Sequence, residues 1–254
     1  MSARPTGQAL LDALESGEVR VAEPHGDDWH VHAWVKEEIL ALFRTSDVVA
    51  LGEDRALWPF VDKEAFPVRS FDGSEGVRLV PGGSAVRRGA YVGAGTVLMP
   101  PCYVNVGAHV GAGSMIDSHA LVGSCAQVGA RVHVSAGAQI GGVLEPVGSQ
   151  PVIVEDDVLV GGQCGLYEGV RVRERAVLAS GVVLTATTRV YDLTEERELE
   201  RPLVIPRGAV VVPGSRPAGG AYAEREGLSM SCALIVKVRD AATDDRTALE
   251  EALR

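Results

Sequence analysis

Lysine is scarce in this chain: only Lys36, Lys63 and Lys237 stand beside many arginines, and the 254 residues carry a formal net charge of −10. An acidic balance of this size disfavours nucleic acid as a partner, because phosphate backbones are bound through an excess of cationic side chains. Cysteine is sparse as well. Cys102, Cys125, Cys164 and Cys232 have no patterned spacing, which argues against a disulfide framework and for a reduced, cytoplasmic protein. No apolar run approaches the ~20 residues of a membrane span, and the opening Met-Ser-Ala-Arg-Pro-Thr-Gly has no signal-peptide core. A Gly-rich phosphate loop and a dinucleotide fingerprint are both missing, so nucleotide recognition of the P-loop or Rossmann kind is not expected.

What the chain does have is a period. An aliphatic residue returns at every sixth position: Val86, Val92, Leu98, Val104, Val110, Ile116, Val122, Val128, Val134 and Ile140, often followed by a small residue such as Gly93, Gly111 or Gly123. A helix needs a period near 3.6 and a half-exposed strand a period of 2, so six fits neither. It is the signature of a parallel β-helix of hexapeptides, three of which complete a triangular coil. Each aliphatic residue points inward and stacks on its counterpart one coil away, ~4.8 Å along the axis. A glycine behind it allows a positive φ or a close approach of the next coil.

After Ile140 the segment Gly-Gly-Val-Leu-Glu-Pro-Val-Gly-Ser-Gln-Pro offers no aliphatic at Pro146. Proline cannot donate within a central ladder, so a projecting loop is expected there. The slots are then read as resuming at Val152, Val158, Cys164, Val170, Ala176 and Val182, with the solenoid ending near Thr188. Ahead of the coil, Gly7 to Leu14 and Asp28 to Arg44 read as amphipathic helices. Behind it, Val204-Ile-Pro, Ala209–Pro213 and Ser231–Val238 are strand-like, and a charged helix over Thr243–Arg254 closes the chain. The expected organisation is a mainly β protein with a small helical or α/β N-terminal cap (1–80), a left-handed parallel β-helix (81–190) and a short β/helix C-terminal extension (191–254).

Chemistry stands out where a charged residue breaks the turn pattern. Asp117 follows the inward Ile116, where most coils carry something small or uncharged. Aspartate readily hydrogen-bonds its own turn, so a structural role competes with a functional one; His119 is its nearest base-like neighbour in sequence.

The run Ser114-Met-Ile-Asp-Ser-His-Ala-Leu-Val-Gly-Ser-Cys-Ala-Gln-Val-Gly129 closely resembles the tetrahydrodipicolinate N-succinyltransferase family. So do Gly141-Gly-Val-Leu-Glu-Pro146, Leu98-Met-Pro-Pro-Cys-Tyr-Val-Asn-Val-Gly107, the Arg20 to Arg44 region and the tail with Cys232-Ala-Leu-Ile-Val-Lys237, so that the resemblance covers essentially the whole chain. It implies a homotrimeric, left-handed β-helix acyltransferase of lysine and diaminopimelate synthesis, with active sites between subunits. The reaction implied moves a succinyl group from succinyl-CoA, the co-substrate, to the amine of the ring-opened acceptor dicarboxylate, with no metal required. By the same resemblance Asp117 falls on the catalytic or substrate-orienting aspartate, with His119 and Glu168 as further catalytic candidates. Arg78 falls on the arginine that binds a substrate carboxylate, and Ser124, in the Gly-Ser-Cys-Ala-Gln motif, is a further substrate-binding candidate. Gly161, Ala179, Ser180 and Gly181 would offer backbone groups to the CoA arm, with Pro213-Gly-Ser215 and Lys237 toward its far end. A fixed guanidinium fork suits a dicarboxylate, and an ammonium must be held and deprotonated before it attacks a thioester.

One departure is specific. Where the family reads Gly-Ala-Arg-Ser-Glu-Val-Val-Glu-Gly, with its first glutamate the second acid of the site, this chain reads Gly161-Gly-Gln-Cys-Gly-Leu-Tyr-Glu-Gly169. Gly165 therefore stands at the acidic position, and Glu168 matches the second glutamate. Asp117 and Gly165, both read as following an inward residue and eight hexapeptides apart, fall on different faces and meet only across a subunit boundary. Three readings stay open: a succinyltransferase, a related acyltransferase with another acyl-CoA or amine acceptor, and a weakly catalytic binding paralogue. A hexapeptide-repeat carbonic anhydrase needs three metal-binding histidines at a shared edge; His109, His119 and His133 contain no i, i+5 pair.

Overall fold

The computed structural model describes residues 4–51 and 60–241; the helix expected over Thr243–Arg254 lies outside them. Two-residue strands recur through the middle of the chain and stack in three parallel ladders, forming a parallel β-helix. The first face carries Arg78–Leu79, Val97–Leu98, Met115–Ile116, His133–Val134, Leu159–Val160 and Val177–Leu178. The second carries Ala85–Val86, Tyr103–Val104, Leu121–Val122, Gln139–Ile140, Gly165–Leu166 and Val183–Leu184. The third carries Tyr91–Val92, His109–Val110, Gln127–Val128, Ile153–Val154, Arg171–Val172 and Val204–Ile205.

From Val86 on, the second residue of each of these strands is buried and forms the axial core. Burying each such aliphatic contributes ~1.5–3 kcal/mol, and stacking like on like repeats that gain at every coil. Partners before the loop lie eighteen positions apart, as in Val92 with Val110 and Ile116 with Val134. A second, smaller inward position sits two residues ahead of the aliphatic, filled by Ala90, Cys102, Ala108, Ala120 and Ala126.

The loop resets this phase, against the sequence expectation. Val128 pairs with Val154, twenty-six positions on, so the projecting segment adds eight residues to one coil. Eight is not a multiple of six. The strand slots after it are Val154, Val160, Leu166, Val172, Leu178 and Leu184. The residues read as strand slots, Val152, Val158, Cys164, Val170, Ala176 and Val182, occupy the smaller inward position, where they are buried too. Two apolar residues per repeat give two candidate phases, and periodicity alone cannot choose between them. Gly165 consequently lies within a strand, between Cys164 at the smaller inward position and the inward Leu166, and not at a corner as Asp117 does.

The ladders also run past Thr188. Val204–Ile205 stacks on the third face, and Ala209–Pro217 adds to the first, hairpinned with Ser229–Val238.

At the N-terminal end, helices α1 (Gly7–Ser16) and α2 (Ala33–Thr45) flank a hairpin of Ala22–His25 and Asp28–Val31. Asp28–Val31, expected as the start of a helix, is a strand. Its exposure alternates, with half-buried Trp29 and Val31 each following an exposed residue, and the Trp29 Nε1–H donates to Glu155 of the coil at 3.2 Å. Leu10, Leu11, Leu14, Val35, Ile39 and Phe66 pack on Val106 and Cys125 of the coil. Fully buried Lys36 of α2 donates through Nζ to the Ser149 carbonyl at 2.7 Å, tying the cap to the projecting loop; burial lowers its pKa.

Candidate active site

The triangular coil sorts the candidate residues by corner. Asp117 and His119 turn the chain from the first face to the second, behind Met115–Ile116. Gly161 occupies the same corner behind Leu159–Val160, and Ala179, Ser180 and Gly181 behind Val177–Leu178. Asp117 and the four residues expected along the CoA arm therefore share one edge of the solenoid. Arg78 lies on the adjoining first face, two ladder steps from Met115, hence ~10 Å from the Asp117 level by strand spacing. Ser124 and Glu168 turn from the second face to the third. This corner is a different one, and the single chain does not bring them to Asp117.

Asp117 uses its two oxygens differently. Oδ1 accepts from the Ser118 N–H at 2.7 Å, the self-capping turn that aspartate favours. Oδ2 lies 3.8 Å from Nε2 of His133, a side chain about one-fifth exposed. The histidine against Asp117 is thus His133, which the sequence reading passed over, and not His119. His133 pairs with Met115 one coil on, so only the stacking register shows the contact. His119 holds φ = 62° at the left-handed turn position that other coils fill with Gly95, Gly113 and Gly137, and its N–H donates to the Pro101 carbonyl at 2.6 Å.

Along the shared edge, glycine has a steric cause. A Cβ on Gly161 would meet the Leu178 carbonyl oxygen at 2.5 Å and the Ser180 nitrogen at 2.6 Å, so backbone lies against backbone, and the N–H groups of Gly161, Ala179 and Gly181 donate to the Leu178, Val211 and Gly162 carbonyls. The edge leads to a cavity of about 510 Å³ lined by Gly181, Thr185, Arg189, Pro213, Gly214 and Arg216 among others. Arg189 forks onto Glu198. Lys237 stands on the neighbouring strand opposite Val210 and pairs with Asp240 at 3.0 Å.

The second-to-third corner has its own cavity, about 870 Å³, between the coil and the projecting loop. Glu145, Gln150, Tyr167, Glu168 and Thr185 contribute to its lining. Glu168, at φ = 54°, accepts the Ala186 N–H through Oε2 at 2.8 Å. Tyr167, also absent from the sequence reading, lies over Gly165.

A parallel β-helix of hexapeptides, with an acid, a histidine and an arginine near one edge and small residues along that edge up to a cavity bordered by Gly181, defines a hexapeptide-repeat acyltransferase type of site. Family models agree: residues 2–45 match the tetrahydrodipicolinate N-succinyltransferase N-terminal model, and residues 151–186 match the hexapeptide repeat of succinyl-transferase. The 2,3,4,5-tetrahydropyridine-2,6-dicarboxylate N-succinyltransferase of Bordetella avium is 43% identical over 99% of this chain and 89% of its own length. That of Shewanella baltica is 44% identical over 100% and 90%. The chain belongs to the tetrahydrodipicolinate N-succinyltransferase family. A solved Campylobacter jejuni structure, named for 2,3,4,5-tetrahydropyridine-2-carboxylate N-succinyl transfer, shares the fold: TM-score 0.52 at 19% identity, covering 89% of this chain and 61% of that one.

Proposed function

We propose that this chain is a CoA-dependent N-acyltransferase that moves a succinyl group from succinyl-CoA to the amine of ring-opened tetrahydrodipicolinate, in diaminopimelate and lysine biosynthesis. It acts in the cytoplasm as a homotrimer of left-handed β-helices, divided as an N-terminal cap (1–80), a coil (81–190) and a C-terminal extension (191–254). The observation that carries this reading is the single edge holding Asp117, His133 and the turns at Gly161 and Ala179–Gly181, with Arg78 two coil steps away. A dicarboxylate spanning Arg78 and Asp117 would present its amine to a thioester carried along that edge.

The chemistry follows from these placements. Arg78 fixes one carboxylate through a planar fork. Asp117 accepts a hydrogen bond and a proton from the ammonium, freeing the nitrogen lone pair, with the His133 ring 3.8 Å from its Oδ2. Nitrogen attacks the thioester carbon, the carbon–sulfur bond breaks, and the amide forms. Nitrogen gives up two protons in all; one goes to the departing thiolate and one reaches solvent. Gly161, Ala179, Ser180 and Gly181 line the acyl-CoA arm, with Arg189, Arg216 and Lys237 near its far end as cations for phosphate. Ser124 and Glu168, on the other corner, reach Asp117 only from a neighbouring subunit, which supports a shared site in a trimer.

The test is release of free thiol from succinyl-CoA, with and without 2-aminopimelate as acceptor. Acceptor-dependent release supports the reading, and its absence at high enzyme concentration overturns it. A second reading, the same transfer to a different amine, is favoured by one observation: Gly165 and Tyr167 remodel the second-to-third corner.

A further inference from the structure

Gly165 is a glycine that no turn requires. It sits inside a strand, paired with Gln139 on one side and Val183 on the other, and its φ is not positive. Residues flanking an inward residue of a strand face outward, so Gly165 and Tyr167, on either side of buried Leu166, share the outer surface. A Cβ at position 165 would lie 2.5 Å from Tyr167 Cε2 and 3.0 Å from both its Cζ and its hydroxyl oxygen. The phenol ring therefore rests on the Gly165 backbone and fills the volume that a side chain at 165 would take. Small at 165 and large at 167 is one coupled arrangement.

The ring also faces a cavity. Tyr167 is half-buried and lines the space of about 870 Å³ with Glu145, Gln150, Glu168 and Thr185. Among the described residues, its hydroxyl makes no hydrogen bond. A phenol hydroxyl can donate as well as accept, whereas a carboxylate only accepts. A side-chain carboxylate in this position would select an ammonium or another donor. The phenol can donate to an oxygen, which a carboxylate there cannot.

Resting on the acyltransfer reading above, we propose that Tyr167 determines acceptor specificity: its hydroxyl donates a hydrogen bond to a carboxylate oxygen of the amine acceptor from the volume left by Gly165. The two corners then divide the substrate, Asp117 taking the amine and Tyr167 of a neighbouring subunit taking a carboxylate.

Two variants isolate the hydroxyl. Tyr167→Phe keeps the ring over Gly165, and Gly165→Ala displaces the ring by its Cβ while leaving the phenol intact. Each is compared with the parent on three acceptors: 2-aminopimelate, 2-aminoheptanoate, which lacks the distal carboxylate, and 6-aminohexanoate, which lacks the one beside the amine. Kinetics with succinyl-CoA and calorimetric binding of the acceptor are both recorded. Tyr167→Phe should weaken 2-aminopimelate by about 10–100-fold, the usual scale for a hydrogen bond lost to a charged group. That penalty should vanish for one of the two truncated acceptors, Gly165→Ala should repeat the pattern, and the KM for succinyl-CoA should stay put. A Tyr167→Phe enzyme within two-fold of the parent on every acceptor, or one losing equally on all three, overturns the proposal. The calorimetric affinities separate these outcomes even without turnover. An inactive parent whose binding still discriminates would sink the acyltransfer reading alone.

Discussion

Asp117→Asn separates catalysis from structure, because the two oxygens of this side chain do different work. Oδ1 caps the turn through the Ser118 N–H at 2.7 Å, and Oδ2 faces His133 at 3.8 Å. Asparagine keeps one oxygen for the turn and places an amide nitrogen toward His133, so the turn survives with a neutral hydrogen bond in place of a charged one. That exchange costs about 1 kcal/mol, or roughly 2–4 °C in Tm for a chain of this size. The amide has no basicity, however, and losing a general base typically lowers turnover by about 10²–10⁴-fold. The assay is thiol release from succinyl-CoA with saturating 2-aminopimelate, beside a melting curve and a light-scattering mass on the same preparation. The expected result is turnover reduced at least ~100-fold, Tm within a few degrees of the parent and unchanged mass. Turnover within a few-fold of the parent would remove Asp117 from the chemistry and leave it as a turn cap.

Three further outcomes test neighbouring parts of the account. Arg78→Ala should raise the KM for 2-aminopimelate by about ten- to a hundred-fold, the scale of a lost charge-assisted fork, with the KM for succinyl-CoA unchanged; an acceptor KM within two-fold refutes the assignment. Light scattering at micromolar concentration should give about 80 kDa, three times the 26.7 kDa chain, and a monomer mass would defeat a site shared between corners. Burial, and after it the charge of Arg20, push the His109 pKa down from 6.5 to about 3. The unfolded chain therefore binds a proton below pH 6.5 that the folded one refuses until about pH 3, so stability present above 6.5 is lost as pH falls through that window. The full loss is at most ~5 kcal/mol at 1.36 kcal/mol per unit. His109→Phe, which keeps a ring against Tyr91 (centroids 4.4 Å apart), should flatten the acid limb of Tm against pH; an unchanged limb contradicts this.

The parallel β-helix is legible in the sequence because each coil asks the same thing of every sixth residue, and ten consecutive aliphatics from Val86 to Ile140 answer it. The phase after the loop is not legible, because Val152 and Val154 are both buried and either satisfies a six-fold pattern. The hairpin strand Asp28–Val31 was hidden in a helix-like stretch; the alternation of Trp29 and Val31 was the available signal. Asp117 stood out as a charge among small turn residues. His133 did not, since sixteen positions separate the two and only a ladder of eighteen brings Met115 over it. Tyr167 was within reach: a glycine and a tyrosine two apart in a strand share a face, and a bare glycine beside a large ring is a packing signal.

Succinyl transfer itself is tested most directly by the product. The enzyme is given equimolar succinyl-CoA and acetyl-CoA with 2-aminopimelate, and the acylated amine is identified by mass spectrometry. The account predicts N-succinyl-2-aminopimelate as the dominant product, formed in step with free CoA. A predominantly acetylated amine, or thiol release with no acylated acceptor, would contradict it.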